Sequence, residues 1–116
     1  MRNQNDTLQQ QKRIVEELNE KIIKNFLDLI VLNDLRTRPL DGYSFIRLIH
    51  LRYRLLLSSG TVYSLLYSIE RKGLIEGTWR ERKRVYSLTD KGKQTIEAVT
   101  SAPSPIKEFV KSLLAV

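Results

Sequence analysis

The chain has 116 residues, of which 41% are hydrophobic and 28% charged; this excludes a wholly disordered chain and predicts one domain with one core. It has no cysteine and a single histidine, His50, which excludes disulfides, a thiolate nucleophile and a multi-histidine metal site within one chain. No apolar run approaches the ~18–20 residues of a membrane span, and the polar start carries no signal-peptide core. The expectation is a soluble, cytoplasmic protein without membrane association. No carboxylate pair, nucleophile–base arrangement or phosphate loop is visible, so neither an enzyme nor a cofactor is expected.

The net charge is +7, and it is unevenly placed. Residues 36–84 hold eleven basic and four acidic side chains, against five and six in residues 1–35 and four and three in residues 85–116. Nine of the eleven are arginine, whose planar fork suits phosphate. A basic block in a compact segment is the footprint of a polyanion partner; the plainer alternative is a solubilising surface.

Residues 7–35 contain no proline or glycine and read as one long helix, with Asp6 or Thr7 as cap. Leu8, Val15, Ile22 and Leu29 lie seven apart, the period of a seam against another helix. Residues 7–21 read as a narrow-faced extension and 22–35 as a core helix; at 1.5 Å per residue the whole is on the order of 40 Å long. Pro39 breaks the pattern. Asp41 is the expected cap of a second helix, about 42–53, with Phe45, Ile46, Leu48, Ile49 and Tyr43 on its inner face. Leu55–Leu57 form an extended connector. Ser58 or Ser59 caps a third helix that buries Val62, Leu65, Leu66 and Ile69 and ends at Gly73, after Arg71 and Lys72. Two strands follow, 74–79 and 84–88, joined by Arg80–Lys83 as a hairpin. Thr89 caps a last helix of about 90–101. Beyond Pro103 and Pro105, Ile106, Phe109, Val110, Leu113 and Leu114 share one face of a further helical segment.

The order helix, helix, short turn, helix, basic hairpin, helix is that of a winged helix-turn-helix. The fold class expected is α+β, mainly α with a small hairpin wing and with long terminal helices for dimerisation. The outer face of the third helix carries Ser59, Thr61, Tyr63, Ser64, Tyr67, Ser68 and Arg71, short hydroxyls, aromatic hydroxyls and one arginine, which can lie in a major groove without the bulk of a charged wall. Its start, Ser59-Gly60-Thr61, presents free backbone N–H groups to a phosphate. The hairpin adds Arg80, Arg82, Lys83 and Arg84. Of the arginines before the third helix, Arg54 is assigned to DNA in preference to Arg52. Tyr63 and Tyr67 have two roles open, phosphate contact or packing on the second helix. Trp79 is expected to close the hydrophobic base of the wing rather than stack on a ligand. Glu70 is expected to pair within its own helix, and His50 to make a surface or backbone contact rather than act as a pH switch.

Leu40-Asp41-Gly42-Tyr43, Leu57-Ser58-Ser59-Gly60-Thr61-Val62-Tyr63, Ile69-Glu70-Arg71-Lys72-Gly73-Leu74-Ile75-Glu76, Trp79 and Tyr86-Ser87-Leu88-Thr89-Asp90-Lys91-Gly92 together resemble the PadR family of transcriptional regulators, over about residues 26–99. The family usually has histidine where this chain has Asp41 and proline where it has Ser59. The resemblance implies a homodimeric regulator, a repressor or an activator, on an inverted-repeat operator in double-stranded DNA, joined mainly through the C-terminal helix. It also allows a small apolar effector at the dimer interface. Residues 1–21 are then an N-terminal extension, 22–89 the DNA-binding domain and 90–116 a dimerisation region. The dimer contacts are assigned to Leu8, Val15, Leu18, Ile22, Phe109, Val110, Leu113 and Leu114, since a domain of ~65 residues cannot cover both stripes. The rival is an architectural winged helix that binds DNA with little sequence preference or contacts protein partners.

Overall fold

The computed structural model describes residues 4–101 together with 105 and 108. The helical segment expected around Phe109, Val110, Leu113 and Leu114 lies outside the described residues.

The expected long helix is two. α1 spans Gln4–Asn25 and α2 spans Leu27–Asp34, with a turn at Phe26. The Phe26 N–H donates to the Ile23 carbonyl three residues back, at 3.0 Å, a tighter turn than the α-helical four. Asp6 and Thr7 lie inside α1, which begins at Gln4. The turn also changes which face is buried. Ile23, Leu27, Val31, Leu32 and Leu35 enter the core, whereas Leu8, Val15, Leu18, Ile22 and Phe26 are exposed. Ile22 therefore belongs to the outer seam of α1 and not to the core helix. Within α1 only Ile23 is buried, so the helix has almost no packing of its own.

β1, Leu40–Asp41, occupies what the sequence reads as a simple break. α3, Gly42–Tyr53, follows it. The extended connector delivers Leu57 to the core and leaves Leu56 exposed. α4, Ser59–Arg71, begins at its cap Ser58, whose Oγ accepts from the Thr61 N–H at 3.1 Å. Gly73 ends the helix with φ +77°, a left-handed conformation glycine adopts at little cost. β2, Ile75–Arg80, and β3, Lys83–Leu88, form the wing. The sheet order is β1-β3-β2, all antiparallel. Leu40 pairs with Tyr86 and Asp41 with Val85, so the short β1 ties the start of α3 to the wing. α5, Asp90–Ser101, closes the described chain, with Thr89 Oγ1 accepting from the Gly92 N–H at 3.1 Å.

Phe45, Leu32, Ile49, Leu66, Ile69, Ile75, Val31 and Val62 are fully buried and gather α2, α3, α4 and β2 around one core. α4 contributes Val62, Leu66 and Ile69 at i, i+4 and i+7, a stripe that fixes its rotation. Its opposite face is thereby turned outward.

Candidate nucleic-acid interface

That outward face carries Ser59, Gly60, Thr61, Tyr63, Ser64, Tyr67, Ser68 and Arg71, all exposed. At the start of the helix the Thr61 hydroxyl accepts from Ser58 Oγ at 2.8 Å, which orders both side chains of the first turn. An added Cβ at Gly60 would meet nothing within 4 Å. Nothing among the described residues requires glycine there, and the backbone is open to a close approach from outside. Tyr63 resolves its two roles by position. A Cβ on Gly42 would come within 2.7 Å of the Tyr63 ring, so the ring packs on the bare backbone at the start of α3 and is held there while about half exposed. Tyr67 is exposed, with the Arg71 guanidinium 5.7 Å from its ring centroid.

The wing tip is a two-residue turn. Arg80 pairs with Lys83, and Glu81 and Arg82 between them have φ +47° and +69°, the signs of the type I′ turn that suits hairpins. Arg80, Arg82 and Lys83 are exposed. Arg84 is placed differently. Its Nη2 donates to Glu70 Oε2 at 2.9 Å, and its guanidinium lies 5.8 Å from the ring centroids of both Trp79 and Tyr86. The same Glu70 oxygen accepts from the Gly77 N–H at 2.9 Å. Glu70 thus pairs across to the wing and not within its own helix, because α4 ends against β2 and the carboxylate meets strand donors there. Burial holds the Tyr86 phenol above its ordinary pKa, against the pull of the neighbouring Arg84. Trp79 does not close the base of the wing. It shares the sheet face of Ile75 and Tyr86 but stands nearer the wing tip and is 71% exposed, while the base is closed by Ile75 and Tyr86.

Tyr63, Ser64, Tyr67, Glu70, Trp79, Arg84 and Tyr86 line one open concavity of about 590 Å³ between α4 and the wing. Three of the assigned α4 residues and one wing arginine are thereby brought together; Arg80, Arg82 and Lys83 are not among the lining residues. Arg54 is not brought to this face. It caps α3 in a left-handed conformation, φ +56°, and lines a separate cleft with Glu16, Asn19 and Glu20 of α1. Arg52 is paired with Asp34 at 3.0 Å. His50 is exposed, and its carbonyl accepts from the Arg54 N–H at 2.8 Å. Asp41 precedes α3 as expected, and its side chain accepts from the Ser44 hydroxyl. Sequence reasoning missed Glu70 as the shared acceptor of Arg84 and the Gly77 N–H. The available signal was an acid on the helix next to a basic hairpin. Among the described residues no cluster of potential metal ligands occurs, and no helix is long and apolar enough to cross a membrane.

The transcriptional regulator PadR-like family model matches residues 31–98. No curated protein sequence matches the chain. Among solved structures, a PadR family transcriptional regulator from Eggerthella lenta superposes with a TM-score of 0.74 at 23% identity, covering 91% of this chain and 96% of that one. A PadR-like transcriptional regulator from Bacillus cereus gives 0.70 at 24% identity, covering 83% and 98%. Bacillus subtilis PadR in complex with operator DNA gives 0.56 at 22% identity, covering 77% of this chain and 58% of that one. The structural likenesses carry the fold, and the family model runs from the second half of α2 into α5, taking in α3, α4 and the wing. The chain belongs to the PadR-like family of transcriptional regulators, a family of DNA-binding proteins and not an enzyme class.

Proposed function

We propose that the chain is a homodimeric repressor that binds an inverted-repeat operator with α4 in the major groove and the wing over the adjacent backbone. The observation that carries this reading is the pairing of two neighbouring elements: α4 turns its hydroxyl-rich side to a concavity whose other wall is the wing, and the turn of that wing carries the exposed cations Arg80, Arg82 and Lys83. The α4 side chains reach base edges, and Arg80, Arg82 and Lys83 supply the phosphate contacts that position the protein without reading sequence. The repressor role follows the family resemblance and the operator-bound Bacillus subtilis relative.

Dimerisation is supported by the seam of α1. Leu8, Val15, Leu18 and Ile22 are 41–64% exposed along one side of a helix with a single buried residue. Each large apolar side chain is worth ~1.5–3 kcal/mol when fully buried, and a stripe of this length calls for a partner. A two-fold partner is the commonest solution, with Phe109, Val110, Leu113 and Leu114 completing the interface and an apolar effector site allowed within it.

The test is selection from a random duplex library with the intact protein, followed by competition with bulk DNA. The expected product is a two-fold symmetric motif whose half-site centres lie one turn apart, ~34 Å, or a multiple of it. Binding to that motif resists bulk DNA by a factor of ~10³ or more. A library that emerges without a motif identifies an architectural DNA binder and refutes the proposal.

A further inference from the structure

Glu70 stands out against this interface because its charge has the wrong sign for it. A carboxylate lining a concavity that receives a polyanion opposes binding, unless it acts through other groups. Its contacts show what it acts on. One oxygen, Oε2, takes the Gly77 N–H from β2 and the Arg84 guanidinium from β3, both at 2.9 Å. Both wing strands are therefore tied to one side chain near the end of α4. Arg84 is fixed further between the Trp79 and Tyr86 rings, and Gly77 makes room for it: an added Cβ would stand 2.5 Å from Arg84 Nε. The β2–β3 ladder runs unbroken from Ile75↔Leu88 to Arg80↔Lys83, so the strands do not need Glu70 to pair with each other. What the carboxylate adds is the link between the wing and the helix.

Two elements that straddle a sugar–phosphate ridge must be held at the spacing the duplex sets, and a wing free to hinge pays an ordering cost when it binds. We propose that Glu70 is a positioning residue: through Arg84 and Gly77 it holds the wing at the distance from α4 at which Arg82 and Lys83 reach phosphates, without itself contacting DNA. This rests on the reading above that α4 and the wing share one duplex.

The experiment is a cycle of four intact proteins, namely wild type, Glu70→Ala, the double variant Arg82→Ala with Lys83→Ala, and the triple variant. Each is titrated by fluorescence anisotropy, across a salt series, onto the duplex that the wild type selects. The wing double variant lowers the log–log salt slope by up to about 3.6 for a dimer, at ~0.9 per phosphate contact. Glu70→Ala alone weakens binding about tenfold or more at 0.1 M salt and lowers the slope in the same direction. In the background lacking Arg82 and Lys83, Glu70→Ala changes affinity by less than about twofold, because the groups it positions are gone. Equal losses in both backgrounds identify general structural damage and overturn the proposal. Equal gains identify simple removal of a repelling charge and overturn it as well. An unchanged slope in the wing double variant overturns both the proposal and the wing contacts on which it rests, whereas a lowered slope there with no effect of Glu70→Ala overturns the proposal alone. Gly77→Ala displaces Arg84 from the opposite side and gives the same pattern if Glu70→Ala melts below the assay temperature.

Discussion

Replacing Gly92 with alanine tests the join between the wing and the last helix. An added Cβ would lie 2.0 Å from the Leu74 carbonyl oxygen, where ordinary contact begins near 3.4 Å. The obstacle is backbone, so no rotamer change relieves it, and α5 must move by more than 1 Å or the Leu74 carbonyl ahead of β2 must yield. Three hydrogen bonds converge there. The Leu74 carbonyl accepts from the Thr89 N–H at 3.1 Å, Thr89 Oγ1 accepts from the Gly92 N–H at 3.1 Å, and the Thr89 hydroxyl donates to the Gly73 carbonyl at 2.6 Å. One turn further on, Ile96 is 2% exposed, so the shift carries into the core. Overpacking costs ~1–3 kcal/mol, and two weakened hydrogen bonds add about 1 kcal/mol each. The expected loss is therefore about 3–5 kcal/mol, a large part of a total of ~5–15. For a domain of this size it lowers Tm by roughly 12–25 °C. Circular dichroism melts at equal protein concentration measure it, since a dimer's Tm depends on concentration. A fall of less than about 4 °C would refute the reasoning, because it would mean that the helix relaxes without strain.

Three further outcomes are expected. Val15→Asp with Leu18→Asp places two charges on the exposed seam of α1 and raises the dimer dissociation constant about tenfold or more; sedimentation reads it, and a wild type that is already a monomer of one 13.6 kDa chain at micromolar concentration removes the dimer argument. Ser64→Ala changes the selected motif more than it changes affinity for random duplex, whereas recovery of the wild-type motif counts against direct readout at that position. Burial pushes the Asp41 carboxyl up, but the Ser44 hydroxyl, backbone N–H groups and the Lys83 charge outweigh it and leave its pKa lowered from 3.8; the stability this gives is present above that unfolded value and is lost as pH falls through the folded value. Asp41→Asn therefore melts lower than wild type at pH 7, and the two converge toward pH 2; a gap that persists at pH 2 contradicts the assignment.

The parts of the fold written in local pattern were legible from the residues alone. α4 follows from Val62, Leu65, Leu66 and Ile69 between a serine cap and Gly73, and the wing from two β-rich runs about a polar turn. Long-range pairing was not legible. β1 has two residues, too few for any alternation, and exists because Leu40 and Asp41 find Tyr86 and Val85 across the chain. The turn at Phe26 carries no glycine or proline to announce it; the core selects Ile23 and Leu27 over the heptad positions Ile22 and Leu29. In the candidate site, α4 and the tip cations were named from sequence, because hydroxyls opposite an apolar stripe and clustered cations are both periodic signals. The roles of Glu70, Arg84 and Trp79 depend on where the wing stands relative to α4, which no spacing along the chain encodes. The motif Leu40-Asp41-Gly42 acquires a physical account only in three dimensions: a strand residue, a Ser44 acceptor and a bare backbone for the Tyr63 ring.

Two positions proposed to meet DNA sacrifice stability that the fold alone would keep. Arg82 sits at φ +69° in the wing turn, a conformation that costs a non-glycine residue ~1–2 kcal/mol, where Asn-Gly would be the relaxed choice. Gly60 lies in the first turn of α4 with open space where a Cβ would be, and glycine in a helix costs ~0.5–1 kcal/mol relative to alanine. An outlier of this kind points toward function when nothing in the chain requires it. Gly60→Ala therefore separates the two demands. It raises Tm by several degrees, since it fills empty space and restricts the unfolded chain. It weakens DNA binding, since the new methyl group occupies the gap through which a phosphate approaches the N–H groups of the helix start. The same added methyl group thus has opposite effects at Gly60 and Gly92, stabilising at the open site and destabilising at the closed one. Melting and anisotropy titration on one sample decide the matter: a Gly60→Ala protein that is stabilised and binds DNA as tightly as wild type places the phosphate elsewhere and removes Ser59-Gly60-Thr61 from the interface.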